Sequence, residues 1–87
     1  MAIIFDPAKD RANIKKHGIS LARAADLEAA IGLEDNRKTY GEKRIRAFGH
    51  IDGKPHCLVF TFREGDIRVI SLRRAHLKEM KRYASQA

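Results

Sequence analysis

The stretch Arg44-Ile45-Arg46-Ala47-Phe48-Gly49-His50-Ile51-Asp52-Gly53 decides the fold, together with the residues from Lys54 to Arg74. From Glu42 to Ile51 the side chains alternate. Ile45, Ala47, Gly49 and Ile51 fall on one face, and Arg44, Arg46, Phe48 and His50 on the other, as a strand requires. Asp52-Gly53 is a hairpin signal, because the tightest hairpin loops need positive φ at their central residues. His56 to Arg63 reads as the next strand, apolar enough to be central. Glu64-Gly65 makes a second tight turn, and Asp66 to Leu72 the last strand. These three strands predict an antiparallel meander.

The flanks predict helices. Ala2 to Phe5 is short and apolar, and reads as a buried strand. Asp6 can cap a following helix, and Pro7 suits its first position. That helix runs to about Lys16, and His17-Gly18 ends it, with Gly18 placed for a left-handed cap. Ser20 caps a second helix, in which Leu21, Ala24, Leu27 and Ile31 fall at helical spacing. Gly32 breaks it, and a short strand is expected from Leu33 to Asn36. A final helix from about Arg74 to Ala84 puts Leu77, Met80 and Ala84 on one side. Helices segregated from an antiparallel sheet give an α+β fold.

The chain has 87 residues, enough for one domain spanning 1–87. It carries 18 Lys plus Arg against 11 Asp plus Glu, a formal net charge of +7. A field of that sign collects phosphates before any single contact forms, which makes nucleic acid the first partner to consider. Cys57 is the sole cysteine, so no internal disulfide can form; it lies in an apolar run and reads as a buried hydrophobe. No apolar stretch is long enough to cross a membrane. The opening residues lack a basic segment followed by a long apolar one, so no signal peptide is expected and a cytoplasmic location is.

The histidines His17, His50, His56 and His76 are scattered, with no partner at metal-ligand spacing. No glycine-rich phosphate loop and no nucleophile elbow is present. The expectation is therefore no metal and no cofactor. What remains is Arg, Lys, His, Glu and Tyr near strand ends. That set suits metal-independent RNA cleavage. The 2′-hydroxyl is already the nucleophile, and the protein has only to align the backbone, move a proton and neutralise phosphorane charge. The same residues would equally bind RNA without cutting it.

Phe5-Asp6-Pro7, Asn13 and Lys16-His17-Gly18 resemble the opening of the BrnT toxin family. Gly41-Glu42-Lys43-Arg44, Gly49 and Phe60-Thr61 are similar to its middle, and Arg68 to Ala75, Glu79 and Tyr83 to its ending. Phe5 stands where the family usually has Trp, and Leu72 where a small residue usually precedes the Arg. The resemblance implies a RelE-like fold and a ribonuclease toxin of a type II toxin–antitoxin pair. It also implies a BrnA-like antitoxin that binds the toxin, assembles with it as a 2:2 heterotetramer, and supplies the DNA contact.

Within that reading, Arg63, Arg73 and Arg74 bind and stabilise phosphate, and His17 with Glu42 are the proton-transfer candidates. Glu42 can instead orient an arginine on the neighbouring strand. Lys16, Lys43, Arg44, Arg68 and Tyr83 are candidates for holding RNA. Tyr83 would stack on a base or hydrogen-bond phosphate, and Tyr40 would stack from a loop. Glu79 can pair with Arg82 or hold Arg73 in place. His50, His56 and His76 are left as structural or surface residues. The rival readings are a non-catalytic nucleic-acid-binding module and a subunit whose basic face docks an acidic partner.

Overall fold

A computed structural model describes residues 2–37, 39 and 41–85. Tyr40 lies outside the described residues. Asp6 starts the first helix, α1 (Pro7–His17), by accepting from Ala8 N at 2.8 Å, and Gly18 ends it at φ 73°. Ser20 then caps through its hydroxyl, but the element it starts is a 3-10 helix, Leu21–Asp26. The expected second helix therefore stops short of Ile31. Leu21, Ala24 and Leu27 are three residues apart, the repeat of a 3-10 helix, so their spacing places one face of a tighter coil. Asp10 ties it to α1, accepting from Ser20 Oγ at 2.9 Å and Leu21 N at 2.7 Å.

The chain then enters the sheet earlier than expected. The strands are β1 (Ile3–Ile4), β2 (Glu28–Glu34), β3 (Arg44–Ile51), β4 (Lys54–Arg63) and β5 (Asp66–Arg74). Their order is β1-β5-β4-β3-β2, with β4 central as expected. Neighbours from β2 to β5 run antiparallel, while β1 adds to β5 in parallel. Ile31 and Gly32 are strand residues paired with Phe48 and Ala47. The Ala2–Phe5 segment is a two-residue edge strand rather than a buried one, and Ile3 remains partly exposed.

Both expected turns form, with positive φ at Asp52 and Gly53, and at Glu64 and Gly65. Gly49 has a different reason to be glycine. Opposite it, β2 bulges between Glu28 and Ile31, and a Cβ on Gly49 would lie 2.5 Å from Glu28 O.

Alternation along the strands makes two cores. Ala47, Ile51, Leu58, Val69 and Leu72 pack against Leu21 and Ala24 on the α1 side. Phe48, Cys57, Val59 and Ala75 pack against Tyr83 on the other side, beneath the last helix, α2 (Leu77–Ala84). This helix begins three residues later than expected. Arg74 is still paired with His56, and Ala75 N donates to Pro55 O at 2.9 Å, so the ladder holds the chain extended. Met80 and Tyr83 face the sheet, whereas Leu77 and Ala84 are exposed. No described helix is long and apolar enough to cross a membrane.

Candidate functional site

Among the described residues, the C-terminal end of β5 has no neighbour beyond β4, since β1 pairs with Ile67 and Arg68. The C-terminus of α1 lies against this open flank. Asn13, buried in α1, fixes the approach by bonding both backbone groups of Leu72. Leu72, the departure from the family pattern, sends its side chain fully into the core. Lys16 and His17 are thereby brought beside Arg73 and Arg74. These four, with His76 and Glu79 from the start of α2, line an open basin of about 580 Å³. His17 and Arg74 also line an adjoining hollow with His56, Lys54 and Arg23.

Successive strand residues point to opposite faces, and that separates the two arginines. Arg73 turns toward α2. Its Nη1 and Nη2 donate to Glu79 Oε1 and Oε2 at 2.9 and 2.8 Å, and Nη1 also donates to Arg74 O at 3.1 Å. Glu79 Oε1 further accepts from His76 N at 3.0 Å. The Arg73 guanidinium, aided by that backbone bond, holds the Glu79 carboxyl well below the usual carboxylate range, at about 2, and Glu79 in return raises Arg73. Of the two pairings open to Glu79, Arg73 is the one formed. Arg74, on the other face, is exposed and makes no hydrogen bond or ion pair through its side chain among the described residues.

His17 has its pKa lowered, by partial burial first and then by the charges of Lys16 and Arg73. Its imidazole is therefore held in the neutral form near pH 7, the form that accepts a proton. His56 is buried, with Nδ1 2.7 Å from Lys54 O. Because a carbonyl only accepts, that nitrogen carries the proton.

The other candidates lie elsewhere. Arg63 and Arg74 pair with opposite ends of the β4–β5 ladder, seven residues apart along β4 from His56 to Arg63; that is about 23 Å at ~3.3 Å per residue. Glu42 stands 4.0 Å from Arg63 and 3.4 Å from Arg44. Lys43 pairs with Glu34 at 3.5 Å, and Arg68 pairs across the ladder with Thr61. Glu42, Lys43, Arg44, Arg63 and Arg68 thus belong to a second basic region at the far end of the sheet, and Glu42 does not reach His17. Tyr83 is 5 % exposed, and its ring stacks on Phe48 at 3.6 Å between centroids, so its faces are closed to a base.

His76 is the basin residue that sequence reasoning set aside. Its signal was positional: it directly follows Arg73-Arg74-Ala75, at the start of a helix. Among the described residues, no group of three His, Cys, Asp or Glu side chains is placed to hold a metal ion.

A family model described as "Ribonuclease toxin, BrnT, of type II toxin-antitoxin system" matches residues 5–79. The match takes in α1, the whole of β2 to β5 and the start of α2, and so every residue lining the basin. Comparison with curated proteins gives no match.

Proposed function

Because the chain belongs to the BrnT family of ribonuclease toxins of type II toxin–antitoxin systems, we propose that the basin at the end of β5 is where RNA is cut. The observation that carries this reading is the convergence of Lys16, His17, Arg73, Arg74 and His76 on one open hollow, with His17 kept neutral. Arg74 and Lys16 grip the scissile phosphate, and Arg73, fixed by Glu79, adds its charge from the other side of the strand. Neutral His17 takes the proton from the ribose 2′-hydroxyl. The 2′-oxygen bonds to phosphorus as the bond to the 5′-oxygen breaks, leaving a cyclic phosphate. The departing oxygen takes up a proton from water, to which the basin is open. Arginine and lysine side chains meet the phosphorane charge, His17 takes the proton and water supplies one to the leaving oxygen, so this route calls on no metal ion.

The far basic region, Lys43, Arg44, Arg63 and Arg68, holds flanking RNA, with Glu42 orienting Arg63. Family membership brings an antitoxin as partner. We take it to be BrnA-like, forming a 2:2 heterotetramer that covers the basic face and contacts DNA through the antitoxin. The layout of sheet and helices is in keeping with a RelE-like fold, and the setting is the cytoplasm.

Purified protein should degrade RNA in the presence of EDTA, and His17→Ala or Arg74→Ala should slow it. Loss of cleavage on chelation overturns the metal-independent route. Salt-sensitive binding without strand breaks identifies a nucleic-acid-binding module instead. Tight binding to an acidic partner without affinity for RNA identifies a docking subunit.

A further inference from the structure

The hollow that adjoins the basin has a volume of about 290 Å³, close to the lower end of ligand pockets at ~300 Å³. A buried polar group opens on it. His56 is 5 % exposed, and its Nδ1, 2.7 Å from Lys54 O, carries the ring proton. In the neutral ring Nε2 is then an acceptor only. Among the described residues Nε2 has no hydrogen-bond partner. The buried side-chain atoms of those residues that are sealed from solvent without a partner are Arg46 Nε and Tyr83 Oη. His56 Nε2 is not one of them, so it keeps accessible surface, and the hollow that His56 lines is where that surface opens. Buried polar groups are nearly always paired, so an acceptor left open to a hollow asks for a donor from outside the fold.

The rest of the lining narrows what brings that donor. A backbone phosphate carries no proton and cannot donate to Nε2. Arg23 lines the hollow but is held by Asp26 at 2.7 Å and Asp52 at 2.9 Å. Its charge is met inside the protein, and its pinned guanidinium is a plane of the kind on which RNA bases stack. Ile19 and Ile51 add apolar surface, and Gly18 is bare backbone, where a Cβ would meet nothing within 4 Å. A flat ring with an N–H on its edge suits the plane, the apolar wall and the acceptor together. A ribose offers hydroxyl donors but no flat face.

The hollow shares His17 and Arg74 with the basin. Arg74 is the ladder partner of His56, so the two side chains leave the same face of the sheet. On the reading that the basin holds the scissile phosphate, we propose that the hollow is a base pocket. It takes the base of the nucleotide whose 2′-hydroxyl attacks, and His56 Nε2 accepts from an N–H on the edge of that base. His17, at the boundary, meets the sugar between base and phosphate. The seated base then ends the 5′ fragment, and His56 is a specificity-determining residue, because a base that presents no donor there leaves a buried acceptor unpaired.

NMR can follow the His56 Nε2 nitrogen while the 3′-monophosphates of adenosine, cytidine, guanosine and uridine are added in turn. At least one should move that resonance saturably, whereas ribose 5-phosphate and inorganic phosphate should not. His56→Asn keeps a donor for Lys54 O but removes Nε2. It should weaken the best nucleotide about tenfold and leave the affinity for inorganic phosphate unchanged. If the variant does not fold, the titration of the parent still decides. A resonance that no nucleotide moves overturns the pocket. An equal shift with ribose 5-phosphate makes the donor a sugar hydroxyl and overturns the assignment to a base. Fragments whose 3′ ends are unrelated to the order of nucleotide binding overturn the placement of the attacking nucleotide. If nucleotides move the resonance yet RNA is never cut, the nuclease reading falls and the base pocket stands. If RNA is cut while the resonance stays still, the pocket falls alone.

Discussion

The side-chain amide of Asn13 pairs with Leu72 as a neighbouring strand would: Nδ2 donates to Leu72 O at 2.8 Å, and Oδ1 accepts from Leu72 N at 3.3 Å. The same nitrogen donates to Ile19 O at 2.8 Å. One buried residue thus closes the open flank of β5 and ties it to the turn after α1. Asn13→Ala leaves the Leu72 backbone groups buried and unpaired, at a cost of about 2–4 kcal/mol. A domain of this size has roughly 4–13 kcal/mol in all, so the urea midpoint should fall steeply. Asn13→Asp should fare no better, since a carboxylate cannot donate to Leu72 O. A midpoint within error of the parent would show that α1 is held by its apolar contacts alone.

Glu79 gives a stability that depends on pH. Its folded pKa, about 2, lies below the ordinary value of 4.5. The unfolded chain binds the proton first, so this contribution is complete above pH 4.5 and disappears as pH falls toward 2. Both side chains of the pair are partly exposed, which limits its worth to roughly 1–2 kcal/mol. Glu79→Gln should be less stable by that amount at pH 7, and the gap from the parent should close on acidification. A gap that is constant between pH 7 and pH 2 would mean that the carboxylate charge plays no part.

How much of the molecule is legible in the sequence depends on the range of the interaction. The caps at Asp6 and Gly18 and the turns at Asp52-Gly53 and Glu64-Gly65 are settled by local backbone geometry, and the chain alone announces them. β2 is settled by β3. Ile31 and Gly32 gain partners only when Phe48 and Ala47 arrive, so a helical reading of Leu21 to Ile31 meets no local objection. The site divides in the same way. Lys16, His17, Arg73 and Arg74 are all visible as basic residues beside helix or strand ends. A strand has two ends, however, and alternation does not say which one faces α1. Arg63 and Glu42 therefore look like members of a site that forms at the other end. Tyr83 reads as a residue that could stack on a base, because nothing local shows that its ring will close against Phe48 beneath the last helix.

With His17 as the proposed base, its titration should set the acid limb of activity. Its pKa is lowered from 6.5, by partial burial, then Lys16, then Arg73. A lowered folded value means that the folded state sheds its proton more readily than the unfolded chain. The associated stability is present above pH 6.5 and is lost as pH falls from there through the lowered folded pKa. The cleavage rate should fall only where His17 becomes protonated, below its ordinary titration range. Lys16→Gln removes one of the depressing charges, and should move the acid limb and the NMR titration of His17 to higher pH together. His17→Ala should abolish the limb and cost about 10²- to 10⁴-fold in rate. A limb that stays in place in Lys16→Gln while the NMR titration moves would show that another group is the base.

Arg74 and Arg73 adjoin in sequence but should fail differently. Arg74 is exposed and bonds to no side chain among the described residues, so Arg74→Gln should leave thermal stability within about 0.5 kcal/mol of the parent. In the proposed site its charge meets the RNA phosphate, so the same change should weaken RNA binding and reduce the salt slope by about 1. Arg73 is bound twice to Glu79, and its removal strands a carboxylate beside Cys57 and the start of α2. Arg73→Ala should therefore lose stability and cleavage together, and pairing it with Glu79→Ala should restore much of the stability but not the cleavage. Parallel urea titrations and RNA-binding isotherms at several salt concentrations separate the two. If Arg74→Gln unfolds as readily as Arg73→Ala, the division between a phosphate-facing and a framework-facing arginine is wrong.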